Sequence, residues 1–343
     1  MFAIVEAPAE SYAVFKSTDR GQSWVRSDTG MRDGSRINAF GSLDETLFAG
    51  TDSGIFISGD EAQTWRPATG IAKSSGRIIS FASLGRKAFA GTDGSGMLVS
   101  VDEGKAWVLN ASFPSKKVRC LLAQEGKLYA GTDADGVFAS TDGGQGWAQL
   151  QPGLPPHAQV FALSRVEARL FAGLYSKGLY AWNEQEHHWT KADPVSPLAL
   201  AAIGGTLVAG HNPGGLYWSA DLGASWSKGT ASPVGQFASV LPNEAGELSS
   251  EAPVWELASN DELVLAGAST GIYYSEDRGR TWTRARTGLP SESAGVSFLL
   301  KRTFVLAGTL IKRAKGGPDG AAIGSQPIRS ETNRTSSAAR STR

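Results

Sequence analysis

An all-β fold is predicted for this chain of 343 residues: a β-propeller of seven four-stranded blades, the last completed by strands from the N-terminus. Three observations predict it. An eight-residue turn motif occurs in six well-kept copies. A second motif, built on Ala-Gly, recurs seven times at a spacing near 40 residues. The two series are out of step in a way that a closed ring resolves.

The turn motif reads "STDRGQSW" (17–24), "SGDEAQTW" (58–65), "SVDEGKAW" (100–107), "STDGGQGW" (140–147), "SADLGASW" (219–226) and "SEDRGRTW" (275–282); a damaged copy ends at Trp189. Its aspartates are Asp19, Asp60, Asp102, Asp142, Asp221 and Asp277, and its tryptophans Trp24, Trp65, Trp107, Trp147, Trp226 and Trp282. A short carboxylate accepts backbone N–H groups across a tight turn, and glycine supplies the positive φ such a turn needs. The tryptophan is the first large residue of the returning strand. Alternating runs such as "GIFIS" (54–58) precede the motif and read as strands.

The glycines of the second series are 50, 91, 131, 173, 210, 267 and 308, separated by 41, 40, 42, 37, 57 and 41 residues. Ten positions before each stands a large apolar residue: Phe40, Phe81, Leu121, Leu163, Leu200, Leu257 and Phe298. Each repeat thus supplies an innermost strand, a second strand carrying Ala-Gly, a third strand, the turn motif and an outermost strand with the tryptophan. The first turn motif has no Ala-Gly pair before it. Strands at about 12–26 therefore complete the blade begun at about 295–309, which removes the exposed edges of an open array. The alternative is an incomplete eighth blade using "FAIV" (2–5). The spacing of 57 marks an insertion within 227–253.

The turn motif resembles the Asp-box, or bacterial neuraminidase repeat, over residues 12 to about 310. The resemblance implies a propeller in which the boxes are structural turns away from the binding face. It also raises sialidase chemistry: an arginine triad, a tyrosine nucleophile with a glutamate partner, and an aspartate acid/base. Here "RIN" (36–38) and "RII" (77–79) lack the proline of the family's Arg-Ile-Pro motif, and no arginine triad can be matched. The regular pattern is closer in style to the non-catalytic sialidase-like propellers, including the photosystem II assembly-factor type, which resemble protein-binding scaffolds with basic patches.

Composition narrows the remainder. Lys plus Arg and Asp plus Glu are both 33, so no global field points to nucleic acid. One cysteine excludes a disulfide framework. No apolar run reaches the roughly 20 residues of a spanning helix, and "MFAIVEAPAESY" lacks the features of a signal peptide, which leaves the compartment open. Neither a cofactor motif nor a metal-ligand spacing is present. The propeller is placed at 1–311. Residues 312–343, with seven basic and two acidic side chains among Ser, Thr and Gly, read as a disordered basic tail.

Binding residues are expected on the face opposite the box turns, around the mouth of the axial channel. Fourteen positions before the column glycines stand Arg36, Arg77 and Lys117 in the first three repeats, with Arg119 two positions on. These form a basic arc, faced by Asp52, Asp93 and Asp133. Later repeats present Tyr175, His211, Asn212 and Trp255. Eleven positions before the glycines the residues are small (Ala39, Ser80, Cys120, Ala162, Ala199, Ser297) except Glu256, for which Arg119 or Arg77 is a candidate partner. Read structurally, these charges only pair and solvate one another; read functionally, they are the charged half of a surface whose other half is aromatic. The function expected is a monomeric, non-enzymatic scaffold for a protein, peptide or glycan. The alternative is a retaining sialidase-like glycoside hydrolase or a degenerate relative.

Overall fold

A computed structural model describes residues 10–31, 35–71, 75–193, 196–211, 214–231, 253–290 and 293–312. The segment 2–5, most of the insertion and the basic tail lie outside the described residues. The described residues form seven antiparallel sheets. Six follow one another along the chain at 37–67, 78–109, 118–150, 160–193, 197–228 and 254–284. The seventh joins both ends: Glu10–Ser17 pairs along its whole length with Val305–Lys312, from Glu10 against Lys312 to Ser17 against Val305. This is the predicted seven-bladed ring with its N-terminal closure, and its antiparallel order places the box turns at the end of each blade opposite the start of the innermost strand.

The sixth blade departs from four strands. Thr230–Ala231 adds a fifth, parallel to Thr281 and Trp282. The same approach recurs as single parallel bridges, Thr69 to Ala106 and Ser23 to Thr287. The connector leaving one blade runs beside the tryptophan of the next. Its carbonyl accepts that tryptophan's backbone N–H: Thr29 from Trp65 (2.8 Å), Thr69 from Trp107 (3.1 Å), Pro152 from Trp189 (2.8 Å) and Thr287 from Trp24 (3.0 Å). Each outermost strand so held has one of its free backbone donors covered by its neighbour.

The box geometry follows from the residue types. In the first copy Ser17 donates its hydroxyl to Asp19 (2.8 Å) and accepts from the Gly21 N–H (2.8 Å), while Asp19 also accepts from the Ser23 N–H (2.8 Å). Gly21 has a φ of 86°, and Arg20 before it is also left-handed at 61°. The second copy holds the turn with Ala62 at a φ of 66° in place of glycine. Five of the seven anchoring tryptophans are buried: Trp24, Trp65, Trp107, Trp189 and Trp282. Trp147 and Trp226 are only half-buried, and their indole N–H groups have no acceptor. The Gly144 carbonyl, equivalent to the acceptor used by Trp24, Trp107 and Trp282, is taken by Asn110 and Ser112 instead.

The column glycines are required for closeness, since none has a positive φ. A Cβ on Gly131 would lie 2.5 Å from the Cys120 sulfur and 2.6 Å from Val160 in the next blade; one on Gly50 would lie 2.7 Å from Ile78. Blades therefore meet backbone to side chain near the axis, and apolar clusters fill the spaces between them further out, as where Trp107 meets Phe48 edge-on at 5.4 Å.

Candidate functional site: the channel mouth

Every innermost strand begins with the same irregularity. Its pairing with the second strand skips one residue: Asn38, Ile79, Arg119, Phe161, Leu198, Trp255 and Val296. A bulge of this kind re-aims the extra side chain and bends the strand. The residue before each bulge is buried in all seven blades, whereas each bulge residue reaches solvent. The repeat thus presents seven side chains in a collar around the mouth, five of them apolar. All seven stand twelve positions before the column glycines, a signal present in the sequence at an offset beside those used above. Sequence reasoning found only Arg119 and Trp255 among them.

In and beside the collar, on the second to fourth blades, the predicted residues come together. Arg77 donates to Asp93 through Nε at 3.1 Å. Lys117 lies between two carboxylates, 3.6 Å from Asp93 and 3.8 Å from Asp133. Arg119 pairs with Asp133, and its guanidinium lies over the Phe161 ring, 4.4 Å from the centroid. Phe161 stacks on Tyr175 at 5.1 Å and 27°. Burial raises the Asp93 carboxyl, but the Arg77 hydrogen bond and the charges of Arg77, Lys117 and Arg119 outweigh it and hold the group below the usual carboxylate range. The expected basic arc is therefore largely neutralised: three cations enclose two carboxylates, and one positive charge remains over.

Arg36 stands apart from this chain. It lies 5.8 Å from the Tyr12 ring, and the facing Asp52 accepts from Asn38 (2.8 Å). Tyr12 thus reaches the mouth as well, although its place in the sequence suggests an outer strand. Tyr175 and Trp255 are the exposed aromatics here, at 42% and 38%. His211 packs edge-on against Tyr217 at 6.0 Å. Asn212 lies outside the described residues.

Glu256 is half-buried on the strand next to the axis. Neither Arg77 nor Arg119 meets it, because each is held by its own aspartate. Burial without a compensating charge pushes its carboxyl up to about 8. Burial pushes the Cys120 thiol up to about 12, and the thiol points at the Val160 carbonyl (3.7 Å), so it is a core group and not a nucleophile. No cluster of His, Cys, Asp and Glu that could hold a metal occurs among the described residues. No helix among them is long and apolar enough to cross a membrane.

The fold has solved counterparts. The extracellular domain of a one-component system from B. thetaiotaomicron is 16% identical over 79% of this chain, with a TM-score of 0.60, and this chain spans 39% of its length. A GH74 xyloglucanase from Xanthomonas campestris is 17% identical, with 85% of this chain and 55% of that one covered and a TM-score of 0.58. YCF48 bound to D1 peptide is 16% identical, covers 88% of this chain and 97% of its own, and has a TM-score of 0.59. At these identities the likeness shows the fold alone. No curated protein matches the sequence. A family profile does: it covers residues 38–312, from the first collar residue to the last strand of the ring. With four-fifths of its length matched, the chain belongs to the family described as photosynthesis system II assembly factor YCF48.

Proposed function

We propose that the chain is a non-enzymatic scaffold whose channel-mouth face engages a segment of a polypeptide partner. The observation that carries this reading is the unbroken run Arg77–Asp93–Lys117–Asp133–Arg119–Phe161–Tyr175 across three blades. Such a surface offers backbone-length contact, one uncompensated cation and exposed aromatic faces, the residue types that dominate binding at protein interfaces. A solved relative of the same family carrying a D1 peptide supports a polypeptide as the class of partner.

The glycosidase alternative is disfavoured by the same geometry. Retaining hydrolysis needs a nucleophile and a separate acid/base facing one substrate. Asp93 and Asp133 are each committed to an arginine, the box carboxylates lie on the opposite face, and Glu256, the unpaired acid at the mouth, has no nucleophile hydrogen-bonded to it among the described residues. The test is site-specific photocross-linking in the producing cell. A probe at Tyr175 should capture a polypeptide, and one at Val108, on the outer edge of the second blade, should not. Capture from Val108 alone would overturn the choice of face. Turnover of a fluorogenic sialoside or of xyloglucan by the purified protein would overturn the scaffold.

A further inference from the structure

The collar and what lies beneath it differ in chemistry. The collar residues Ile79, Phe161, Leu198, Trp255 and Val296 offer apolar surface that solvent reaches. One residue further along the innermost strands the column is Ala39, Ser80, Cys120, Ala162, Ala199, Glu256 and Ser297. In it a single carboxylate stands among six small side chains. Among the described residues Glu256 has no hydrogen-bond or ion-pair partner, and Arg77 and Arg119, the partners expected for it, are held by Asp93 and Asp133. The hydroxyls of the same column, Ser80 and Ser297, are turned away toward Gly91 and Gly308 of their own blades and closed to solvent, so Glu256 is the polar group of this column that solvent reaches. An unpaired carboxylate beneath an apolar collar is complementary to one kind of group. That group is a cation at the end of an apolar stem, since the stem satisfies the collar and the cation satisfies the acid.

We propose that the channel mouth is a socket for a single primary amine on an unbranched apolar stem, the lysine side chain of the bound polypeptide. The stem lies against the collar at Trp255 and Leu198, and the ammonium donates to Glu256. A guanidinium is broader and a quaternary amine has no donor, so neither fits these groups as well. The inference rests on the mouth being the binding face, and it is independent of the charges on the rim.

The socket is also linked to pH. The strands packed against Glu256, Pro197–Ile203, Val264–Ala268 and Ser293–Leu300, carry no titratable group. Thr206–His211 carries only His211 at its mouth end, and Cys120 faces from across the ring. An ammonium entering the socket therefore meets a carboxyl that is largely protonated when empty at neutral pH, and it displaces that proton.

The experiment titrates n-hexylammonium, with 1-hexanol as the uncharged control, into the full chain carrying carbon-13 in its glutamate carboxyls. Expected are a saturable shift of the Glu256 resonance with hexylammonium, a fall in its titration midpoint, and binding of hexanol weaker by about tenfold or more. Glu256→Gln should abolish the difference between the two probes, and Trp255→Ala should weaken both. Val108→Ala, on the outer edge of the second blade, should change neither. Glu256→Ala, which resembles the first, fourth and fifth blades at this column, serves if the glutamine variant fails to fold. Equal affinity for the two probes, unchanged binding in both Glu256 variants, or no saturable shift would overturn the socket. If hexylammonium binds but no polypeptide is captured at Tyr175, the socket stands and the partner reading falls. If a polypeptide is captured while hexylammonium leaves Glu256 unmoved, the reverse holds.

Discussion

The Arg119 guanidinium lies 4.4 Å from the centroid of Phe161, across the boundary between the third and fourth blades, while it pairs with Asp133 of its own blade. One side chain thus couples the charged part of the mouth to its aromatic part. Arg119→Ala should weaken binding of a captured partner by about 3–30-fold, the range of a partly desolvated cation–π contact. Arg119→Lys should recover only part, since an ammonium lacks the planar fork. Arg77→Glu, which sets a second acid against Asp93, should weaken binding and flatten its salt dependence. Calorimetric titration at low and high salt reads all three; unaltered affinity in Arg119→Ala and Arg77→Glu would remove the arc from the interface.

The tryptophans should divide into two stability classes. Trp24→Ala and Trp107→Ala remove fully buried rings whose indoles are hydrogen bonded, at a cost of about 3–5 kcal/mol. Trp147→Ala should cost clearly less, because its ring is half-exposed and its N–H is unpaired. Denaturant unfolding distinguishes these values, and equal losses at Trp107 and Trp147 would contradict the packing described.

Glycine to alanine changes should depend on space and not on φ alone. Gly131→Ala drives a methyl into Cys120 and Val160 and should cost about 1–3 kcal/mol. Gly126→Ala meets no neighbour and should suffer only the strain of its positive φ of 76°, about 1 kcal/mol. Adding Cys120→Ala to Gly131→Ala should recover part of the loss, which a double-mutant cycle measures.

Acid should open the box turns late. Asp221 is held at about 2, first by the Ser225 hydroxyl, then by the Ser225 N–H and the Ser219 hydroxyl. Asp102 and Asp142 are lowered chiefly by the backbone N–H groups of Ala106 and Gly146. A carboxyl depressed in the folded state contributes stability above its unfolded value near 3.9, and that contribution is lost as pH falls toward the folded value. The melting temperature should stay level from pH 7 to 5 on this account and fall between about pH 4 and 2. Asp221→Asn should make that fall shallower.

Glu256 has the opposite sign. Its carboxyl keeps its proton in the folded chain up to about 8, whereas an unfolded glutamate releases it near 4.5. Between those values the folded state binds the extra proton, so stability declines as pH rises. Glu256→Gln should match the parent melting temperature at pH 4 and exceed it at pH 9 by a few degrees, about 2–5 °C. A difference that is constant with pH would show that the carboxyl is not sequestered.

Most of the fold was legible because its determinants are local and periodic. Ser17, Asp19 and Gly21 specify a turn within five residues, and six copies of that turn mark the register of six of the seven blades. The parallel strand Thr230–Ala231 was not legible, because it depends on where a connector lands on the next blade, which no local pattern encodes. At the site, the positions of Arg77, Lys117 and Tyr175 were legible, and pairing with Asp93 and Asp133 was one of two readings; which aspartate each cation takes was not, since it is set by contacts sixteen residues away or in the neighbouring blade. Phe161 was missed because a phenylalanine on an inner strand reads as core; only the skipped residue in the strand pairing turns it toward the mouth.

The pairing of Ser17 with Val305 carries a consequence for synthesis. Closing a loop of that length costs little more entropy than closing a short one, so the clasp is thermodynamically inexpensive. Its burden is temporal. At about 5–20 residues per second, the ribosome needs roughly 15–60 s after emitting the N-terminal strand before it has made the strand that receives it. Throughout that interval Tyr12, Val14 and Phe15 lie on a strand that has only the short pairing with Val25–Arg26 and lacks its long partner Val305–Lys312. Swapping of Glu10–Ser17 between chains on neighbouring ribosomes is thus the misassembly that this topology invites.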